Sequence, residues 1–297
     1  MDLNDIHIRD PFILPVQDSA LYYMYGTSVH LPNGTGFDAY RSADLRTWEG
    51  PFPVFRPEPD FWADRDFWAP EVHRYKGRYY LLGSFKTEGV SRGTQILTAE
   101  NPEGPFRVHS EQPITPPDWE CLDGTLFVDD DEKPWMVFCH EWLQINDGAM
   151  AAVEMDANLK QPVDEPVRLF RASEAPWTVG LRGPGDGIVT DGPFLHRPPN
   201  GEPWMLWSSF TQAPPELDTK THYAVGLARS ASGSLQGSWK HDPAPVYHDD
   251  GGHPMLFRRF DGTLMLSLHS PNTGPYERPR LFEAADTDGE LRLLSWP

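Results

Sequence analysis

Carboxylates recur at one position of an internal repeat in this sequence. Five segments, each an apolar strand, a polar turn and a second aromatic-rich strand, begin at Asp10, Ala69, Asp123, Asp191 and His253. The first residue of each segment is followed by Pro or Gly. Three of the five first residues are carboxylates and one is an imidazole, and carboxylates that lie close together raise the proton affinity of at least one of them. The pattern therefore predicts general acid and base chemistry.

The second strands of the repeats end in small hydroxyl residues, with one exception. The end positions are Thr27, Ser84, Glu141, Ser209 and Ser270. Glu141 places a longer acid where the other repeats have a hydroxyl, and it is flanked by His140 and Trp142, which a simple surface charge does not explain. The candidate catalytic residues are Asp10, Asp123, Glu141 and Asp191.

Paired carboxylates and aromatic side chains together favour the hydrolysis of glycosidic bonds. One carboxyl group protonates the leaving oxygen, and a second serves as nucleophile or as base toward water. Sugar rings also need flat apolar faces, so we predict substrate contacts from aromatic and imidazole side chains near the strand ends. These residues are Trp68, Trp142, Trp207, His140 and His269. Core packing is the alternative explanation for each tryptophan.

Short strands in a repeated unit must position these groups. The chain has 31 prolines and 25 glycines beside 11 Trp, 10 Tyr and 16 Phe, a composition that favours many short strands joined by turns. The steps between repeats are 59, 54, 68 and 62 residues, which suits one four-stranded antiparallel blade per repeat. We predict an all-β fold, a five-bladed β-propeller around a central funnel, in a single domain over residues 1–297. The innermost strands of a propeller run the same way, so their first residues meet at one mouth of the channel.

The net charge indicates which classes of partner the protein is expected to bind, and the cysteines bear on metal binding. A net charge of −19 disfavours nucleic acid and anionic membrane surfaces, so we expect a neutral substrate derived from an oligosaccharide or polysaccharide. Cys121 and Cys139 show no spacing typical of a metal site, and we expect buried thiols. The first ten residues lack the pattern of a secretory leader, so we expect a cytoplasmic protein, or a secreted one if a leader has been removed.

The sequence resembles glycoside hydrolase family 43, inverting five-bladed propellers that act mainly on glycans containing arabinose and xylose. The resemblance covers the whole chain. It is carried by Arg9-Asp10-Pro11, Trp68-Ala69-Pro70, Leu122-Asp123-Gly124 with Asp129-Asp130-Asp131, and Gly252-His253. By that resemblance Asp10 is the general base that activates water, and Asp123 orients the acid and tunes its pKa. His253 resembles an axial histidine that sits beside calcium or its waters, so a structural calcium near His253 is one expectation, and a hydrogen-bonded core histidine is the other. No cofactor is required.

The sequence departs from the family at the proton donor. The family usually has Glu-Gly-Pro at the start of the fourth blade, whereas this chain has Asp191-Gly192-Pro193. Aspartate withdraws the carboxyl by about one ångström, a displacement that can cost about 100-fold in rate. Both Asp191 and Glu141 stay open as the donor, with a slight preference for Glu141. Inversion predicts about 6.5–9.5 Å between the base and the donor.

Together these features predict an exo-acting, inverting glycosidase, with α-L-arabinofuranosidase activity preferred. β-Xylosidase and β-galactofuranosidase activities are the alternatives of similar substrate shape. The altered donor position also allows a propeller that binds carbohydrate without hydrolysing it.

Overall fold

Strand-forming residues separated by turns build five sheets in a computed structural model, which describes the chain except for residues 32–33, 183–185, 200, 217–218, 288 and 297. Each sheet has four antiparallel strands in sequence order. Blade one contains β1 (Ile8–Val16), β2 (Leu21–Ser28), β3 (Phe37–Ser42) and β4 (Glu49–Phe55). Blade two contains β5 (Arg65–Tyr75), β6 (Arg78–Thr87), β7 (Val90–Ala99) and β8 (Arg107–Val108).

The other three blades repeat this order. Blade three contains β9 (Cys121–Val128), β10 (Pro134–His140), β11 (Ala149–Glu154) and β12 (Val167–Arg171). Blade four contains β13 (Asp191–His196), β14 (Trp204–Gln212), β15 (Thr221–Ser230) and β16 (Trp239–His241). Blade five contains β17 (Gly252–Arg258), β18 (Leu264–Ser270), β19 (Arg278–Thr287) and β20 (Glu290–Ser295). The predicted all-β, five-bladed propeller is confirmed.

Helical structure in the described residues is limited to short turns. The α-helix α1 spans Trp142–Ile145, and 3₁₀ turns span Leu3–Asp5, Gln17–Ser19 and Ala172–Glu174. None of these turns has the length and hydropathy of a membrane span. The two cysteines are unpaired and buried, as the sequence predicts.

The hydrophobic core lies between the blades. Phe37, Phe55, Phe67 and Phe85 interlock between blades one and two, with ring centroids 5.0–6.3 Å apart. Separate buried clusters join blade two to three, three to four, and four to five. Each fully buried large apolar side chain contributes about 1.5–3 kcal/mol. Because the clusters close a ring, the inner strands are held rigidly around the channel.

Every inner strand carries a β-bulge near its start. The residues that pair before each bulge are Arg9 with Thr27, Trp68 with Ser84, Leu122 with Cys139, Asp191 with Ser208, and Gly252 with His269. We call the first member of each pair the pre-bulge residue and the second the facing residue. In each blade two residues of the inner strand then lie opposite one residue of the second strand, which redirects the side chains at the bulge.

The first residue of each bulge has a left-handed backbone. These bulge residues are Asp10 (φ 55°), Ala69 (44°), Asp123 (57°), Gly192 (51°) and His253 (58°). Asp191 is therefore a pre-bulge residue, and the prediction that it shares a position with Asp10 and Asp123 is wrong by one residue. Glu141 stands two residues beyond the facing residue of its blade, so its predicted equivalence with Thr27 is also wrong.

Two further end positions were misaligned by one residue. The facing residue of blade four is Ser208 rather than Ser209, and that of blade five is His269 rather than Ser270. A bulge adds one residue to one strand only, so counting along the sequence does not reveal which residues lie opposite one another.

Candidate active site

The starts of the inner strands enclose a cavity of about 400 Å³ at one mouth of the channel. All four predicted carboxylates line it, together with His253 and two of the three predicted tryptophans. The residues that matter for the chemistry are Asp10, Asp123, Glu141, Asp191, Trp68, Trp142, Tyr223, His253 and Arg9. The structure therefore brings together side chains that come from all five blades or the loops beside them.

Asp10 is a buried carboxylate held by hydrogen bonds and positive charge. The Thr27 hydroxyl donates to its Oδ2 at 2.6 Å, and Nδ1 of His253 lies 3.3 Å from its Oδ1. Burial opposes ionisation of Asp10, but His253 and Arg9, with the Thr27 hydrogen bond, lower its pKa to about 2. Asp10 is thus ionised at neutral pH and able to accept a proton.

His269 supports Asp10 from below and has no exposed surface. Its Nδ1 accepts the backbone N–H of Asp10 at 3.3 Å, and its Nε2 lies 3.1 Å from Oδ1 of Asn272. Burial lowers the pKa of His269 to about 4, so the ring is neutral and its Nε2–H donates to Asn272. The prediction that His269 contacts substrate is wrong, because Asp10 and Tyr223 cover it.

Asp123 and Asp191 are two further acids of the cavity, the first buried and the second half-buried. Burial, followed by the charge of Asp10, raises the pKa of Asp123 well above its usual range. Burial, followed by the charge of Asp123, does the same for Asp191. Oδ2 of Asp123 accepts the Gly192 N–H at 2.9 Å, and Oδ2 of Asp191 accepts the Tyr223 hydroxyl at 3.0 Å. These environments favour the protonated form of the pair, whereas the surroundings of Asp10 favour its ionised form.

Glu141 also lines the cavity, directly before α1, in contact with a guanidinium group. Nη1 of Arg92 donates to its Oε2, and Nη2 of Arg92 donates to Asp66 Oδ2 at 2.7 Å. The side chains of Arg92 and Glu141 are each 7% exposed. Burial raises the pKa of Glu141, while the Arg92 charge opposes that rise. A guanidinium partner stabilises the charged form of the Glu141 carboxyl group.

Trp68 and Trp142 provide aromatic surface to the cavity. Trp68 is 37% exposed, and the Arg92 guanidinium lies over its ring, 4.4 Å from the centroid. Trp142 packs on Gly187, where an added Cβ would come within 2.0 Å of the ring. Gly187 is thus required for Trp142 to occupy the cavity wall. Both rings lie where the sequence analysis expected substrate contacts.

Two predicted substrate contacts lie elsewhere. Trp207 is fully buried between blades three and four, with Trp177 and Phe170 at 5.0 and 5.3 Å, so its predicted stacking on a sugar is wrong. His140 stacks on Trp119 at 4.2 Å and is absent from the cavity lining, so its predicted contact is not supported. Both residues lie on β10 or β14, whose side chains alternate between the two faces of a blade.

Tyr223 and Arg92 were not predicted from the sequence, and Arg9 was predicted only as part of a motif, without a role. Arg9 lines the cavity and is held by Glu277, whose Oε1 lies 3.1 Å from its Nη1. Arg9 could have been predicted from its pre-bulge position if the register of the strands had been known. Tyr223 and Arg92 lie on the third strands β15 and β7, far in sequence from the acids they contact. Tyr223 reaches Asp191 across its own blade, whereas Arg92 reaches Glu141 only because blades two and three pack together.

The predicted calcium lacks a donor set in the described part of the chain. Nδ1 of His253 lies 3.3 Å from Asp10 and 3.8 Å from Asp123, so the ring faces two carboxylates of the cavity. Among the described residues, no three His, Cys, Asp or Glu side chains are grouped as metal ligands. Calcium takes six to eight oxygen ligands, so these residues do not fit a protein-built calcium site. The chemistry below involves no metal step.

Comparisons with known proteins match this chain to one family over nearly its whole length. The model of the family Glycosyl hydrolases family 43 matches residues 5–283. The structure of an endo-arabinase from Bacteroides thetaiotaomicron is 41% identical, with a TM-score of 0.89 and 98% of both chains covered. An endo-1,4-β-xylanase structure from the same organism is 25% identical with a TM-score of 0.79, covering 98% of this chain and 95% of that one. An extracellular exo-α-(1→5)-L-arabinofuranosidase from Cellvibrio japonicus is 23% identical, covering 95% of this chain and 80% of the relative.

Proposed function

Since the chain belongs to glycoside hydrolase family 43, we propose that it hydrolyses α-L-arabinofuranosyl linkages with inversion and releases terminal sugars. Two relatives support arabinose as the sugar: the 41% identical endo-arabinase and the exo-α-(1→5)-L-arabinofuranosidase. Release of terminal sugars is proposed because the cavity of about 400 Å³ has the size of a small-ligand site.

The observation that carries the mechanism is the contrast between two acids in one cavity. The pKa of Asp10 is lowered to about 2, and the pKa of Asp191 is raised well above its usual range. Groups whose environments drive their pKa values apart divide into base and acid. Asp10 takes a proton from water while the water oxygen bonds to the anomeric carbon. As the glycosidic bond breaks, Asp191 transfers its proton to the leaving oxygen.

Asp123 and Tyr223 adapt the site to a short donor. The charge of Asp123 raises the pKa of Asp191, which keeps the donor protonated. Tyr223 fixes Oδ2 of Asp191 by a hydrogen bond at 3.0 Å, so the proton to be transferred resides on the other oxygen. The separation of base and donor that inversion requires, about 6.5–9.5 Å, stays a prediction.

Glu141 is proposed to bind sugar hydroxyls as a carboxylate. Arg92 donates to Oε2 of Glu141, which lines the cavity, and we propose that Oε1 accepts a hydrogen bond from the sugar. Trp68 and Trp142 supply the apolar faces on which a sugar ring stacks. This assignment reverses the preference for Glu141 as donor.

The substrate is tested with a panel of nitrophenyl glycosides and with linear α-1,5-arabinan. We expect the arabinofuranoside to be hydrolysed faster than the xyloside and galactofuranoside. From arabinan we expect arabinose from the first turnovers, with NMR showing inverted configuration. A mixture of longer oligosaccharides would contradict exo action, and the absence of hydrolysis across the panel would favour a binding propeller.

The donor is tested with Asp191→Asn and Glu141→Gln on substrates that differ in leaving group. A missing donor matters least when the leaving group needs no protonation. We therefore expect Asp191→Asn to lose much more activity on arabinan than on a dinitrophenyl glycoside. Glu141→Gln should lose activity equally on both. The opposite pattern would make Glu141 the donor.

A further inference from the structure

Hydrogen bonds join neighbouring blades around the mouth of the channel, and four of them share one form. The backbone N–H of a bulge residue donates to the side chain of the facing residue in the preceding blade. The four bonds run from Ala69 to Thr27 (2.8 Å), Asp123 to Ser84 (2.9 Å), His253 to Ser208 (2.8 Å) and Asp10 to His269 (3.3 Å). A hydroxyl oxygen or a neutral imidazole nitrogen accepts each bond.

The fifth bulge residue, Gly192, breaks this pattern. Its facing residue in the preceding blade is Cys139, which pairs with Leu122 as the other facing residues pair with theirs. The Gly192 N–H instead donates to Oδ2 of Asp123 at 2.9 Å. A thiol is a weak hydrogen-bond acceptor and a carboxylate is a strong one, so the Gly192 N–H donates to the carboxylate.

The surroundings of Cys139 fit this explanation. The side chain is fully buried, and its Sγ lies 3.6 Å from Sδ of Met150. The charges of Asp123 and Asp191 contribute, after burial, to raising the pKa of the Cys139 thiol well above its usual range. The sulfur is therefore neutral and lies close to both acids. It occupies the facing position without competing for their hydrogen bonds.

This exchange of acceptors has a consequence for the acid pair. Gly192 directly follows Asp191, so the bond from its N–H ties the carboxylate of Asp123 to the backbone of the proposed donor. We expect this bond to fix the distance between the two acids. That distance in turn controls how strongly the charge of Asp123 keeps Asp191 protonated.

We propose that Cys139 is a positioning residue: by placing a weak acceptor at the facing position, it leaves the Gly192 N–H to Asp123 and holds Asp123 beside Asp191. The catalytic consequence rests on the proposed function. The hydrogen-bond pattern does not, because it involves no substrate.

The test substitutes Cys139→Ser, which restores the hydroxyl found in the other blades. The new hydroxyl should accept the Gly192 N–H and release Asp123. We expect kcat to fall about tenfold to 100-fold, because a displacement of about one ångström in a catalytic group can cost about 100-fold. KM should change little. The basic limb of the pH–rate profile should move to lower pH, since Asp191 loses the neighbouring charge that keeps it protonated.

Two variants separate the added hydroxyl from the lost sulfur. Cys121→Ser makes the same change at the other buried cysteine, which is not a facing residue, and reports the general cost of replacing a buried thiol. Cys139→Ala removes the sulfur without adding an acceptor, and should leave the basic limb in place. An unchanged limb in Cys139→Ser, or an equal shift in Cys139→Ala, would overturn the proposal.

A measurement on the unmodified protein keeps the proposal testable if Cys139→Ser does not fold. With ¹⁵N-glycine labelling, the amide proton of Gly192 should shift with the titration of an acid, since Asp123 is its acceptor. An amide proton of Gly192 that is insensitive to pH would refute the hydrogen-bond assignment. If no glycoside of the panel is hydrolysed but the chemical shift of the Gly192 amide proton depends on pH, the proposed function alone is refuted.

Discussion

Removing the Tyr223 hydroxyl should move the basic limb of the pH–rate profile upward. This hydroxyl donates to Oδ2 of Asp191 at 3.0 Å, and the hydrogen bond lowers the pKa of Asp191 against the larger effect of burial. Tyr223→Phe removes the bond and leaves the ring in place. The pKa of Asp191 should then rise further, and the donor should stay protonated to higher pH.

The size of the effect follows from the geometry. A hydrogen bond to a charged group contributes about 1.5–3 kcal/mol. One pH unit corresponds to about 1.4 kcal/mol of difference between protonation states. The basic limb of kcat/KM should therefore move upward by about one to two pH units. At its optimum kcat should fall, because the carboxyl group of Asp191 loses its fixed orientation.

The assay is kcat/KM for a nitrophenyl arabinofuranoside across the pH range in which the protein stays folded. Tyr25→Phe is the matched control, because Tyr25 is also fully buried and donates one hydrogen bond, at 2.6 Å to the Pro102 carbonyl, outside the cavity. The control should lose stability without moving the limb. If Tyr223→Phe leaves the limb in place or lowers it, Asp191 is not the group that titrates there, and its assignment as donor is wrong.

Two further substitutions test the base and the ion pair. Asp10→Asn should lower kcat/KM by about 10²–10⁴-fold, the usual contribution of a general base. The control is Asp286→Asn, which should change kcat/KM little, because Asp286 is another buried acid but does not line the cavity. Retained activity in Asp10→Asn would exclude Asp10 as base. Arg92→Met should lower the free energy of unfolding in urea by about 3–5 kcal/mol, because Glu141 is left buried without its partner. Arg107→Met, at an exposed pair, should have little effect, and equal losses in the two arginine variants would contradict a buried ion pair.

Much of the site followed from local sequence. Pro or Gly after the first residue of each repeat marks the bulges, and a five-fold repeat predicts which strand starts meet at the channel. That was enough to place Asp10, Asp123 and Asp191 in one cavity. Trp68 was found for the same reason, since it directly precedes the bulge residue of blade two.

The pairing of one strand with the next was not contained in that pattern. Asp191 was placed one residue out of register, because both Asp and Gly are common where the backbone turns left-handed, and only the structure shows that Gly192 has the positive φ. The sequence around Trp207 does not distinguish it from an exposed tryptophan, but in the structure the neighbouring blade covers it.

The five-fold repeat, the family and the three aspartates were thus determined by the sequence itself, since strand period and turn residues act over a few positions. The division of roles was decided by tertiary structure. Arg92 reaches Glu141 from the neighbouring blade, and Tyr223 reaches Asp191 from the third strand of the same blade. The Gly192 N–H donates to Asp123 in the neighbouring blade. A pKa depends on charges and burial within a few ångströms, and those neighbours are set by the packing of blades that are distant in sequence.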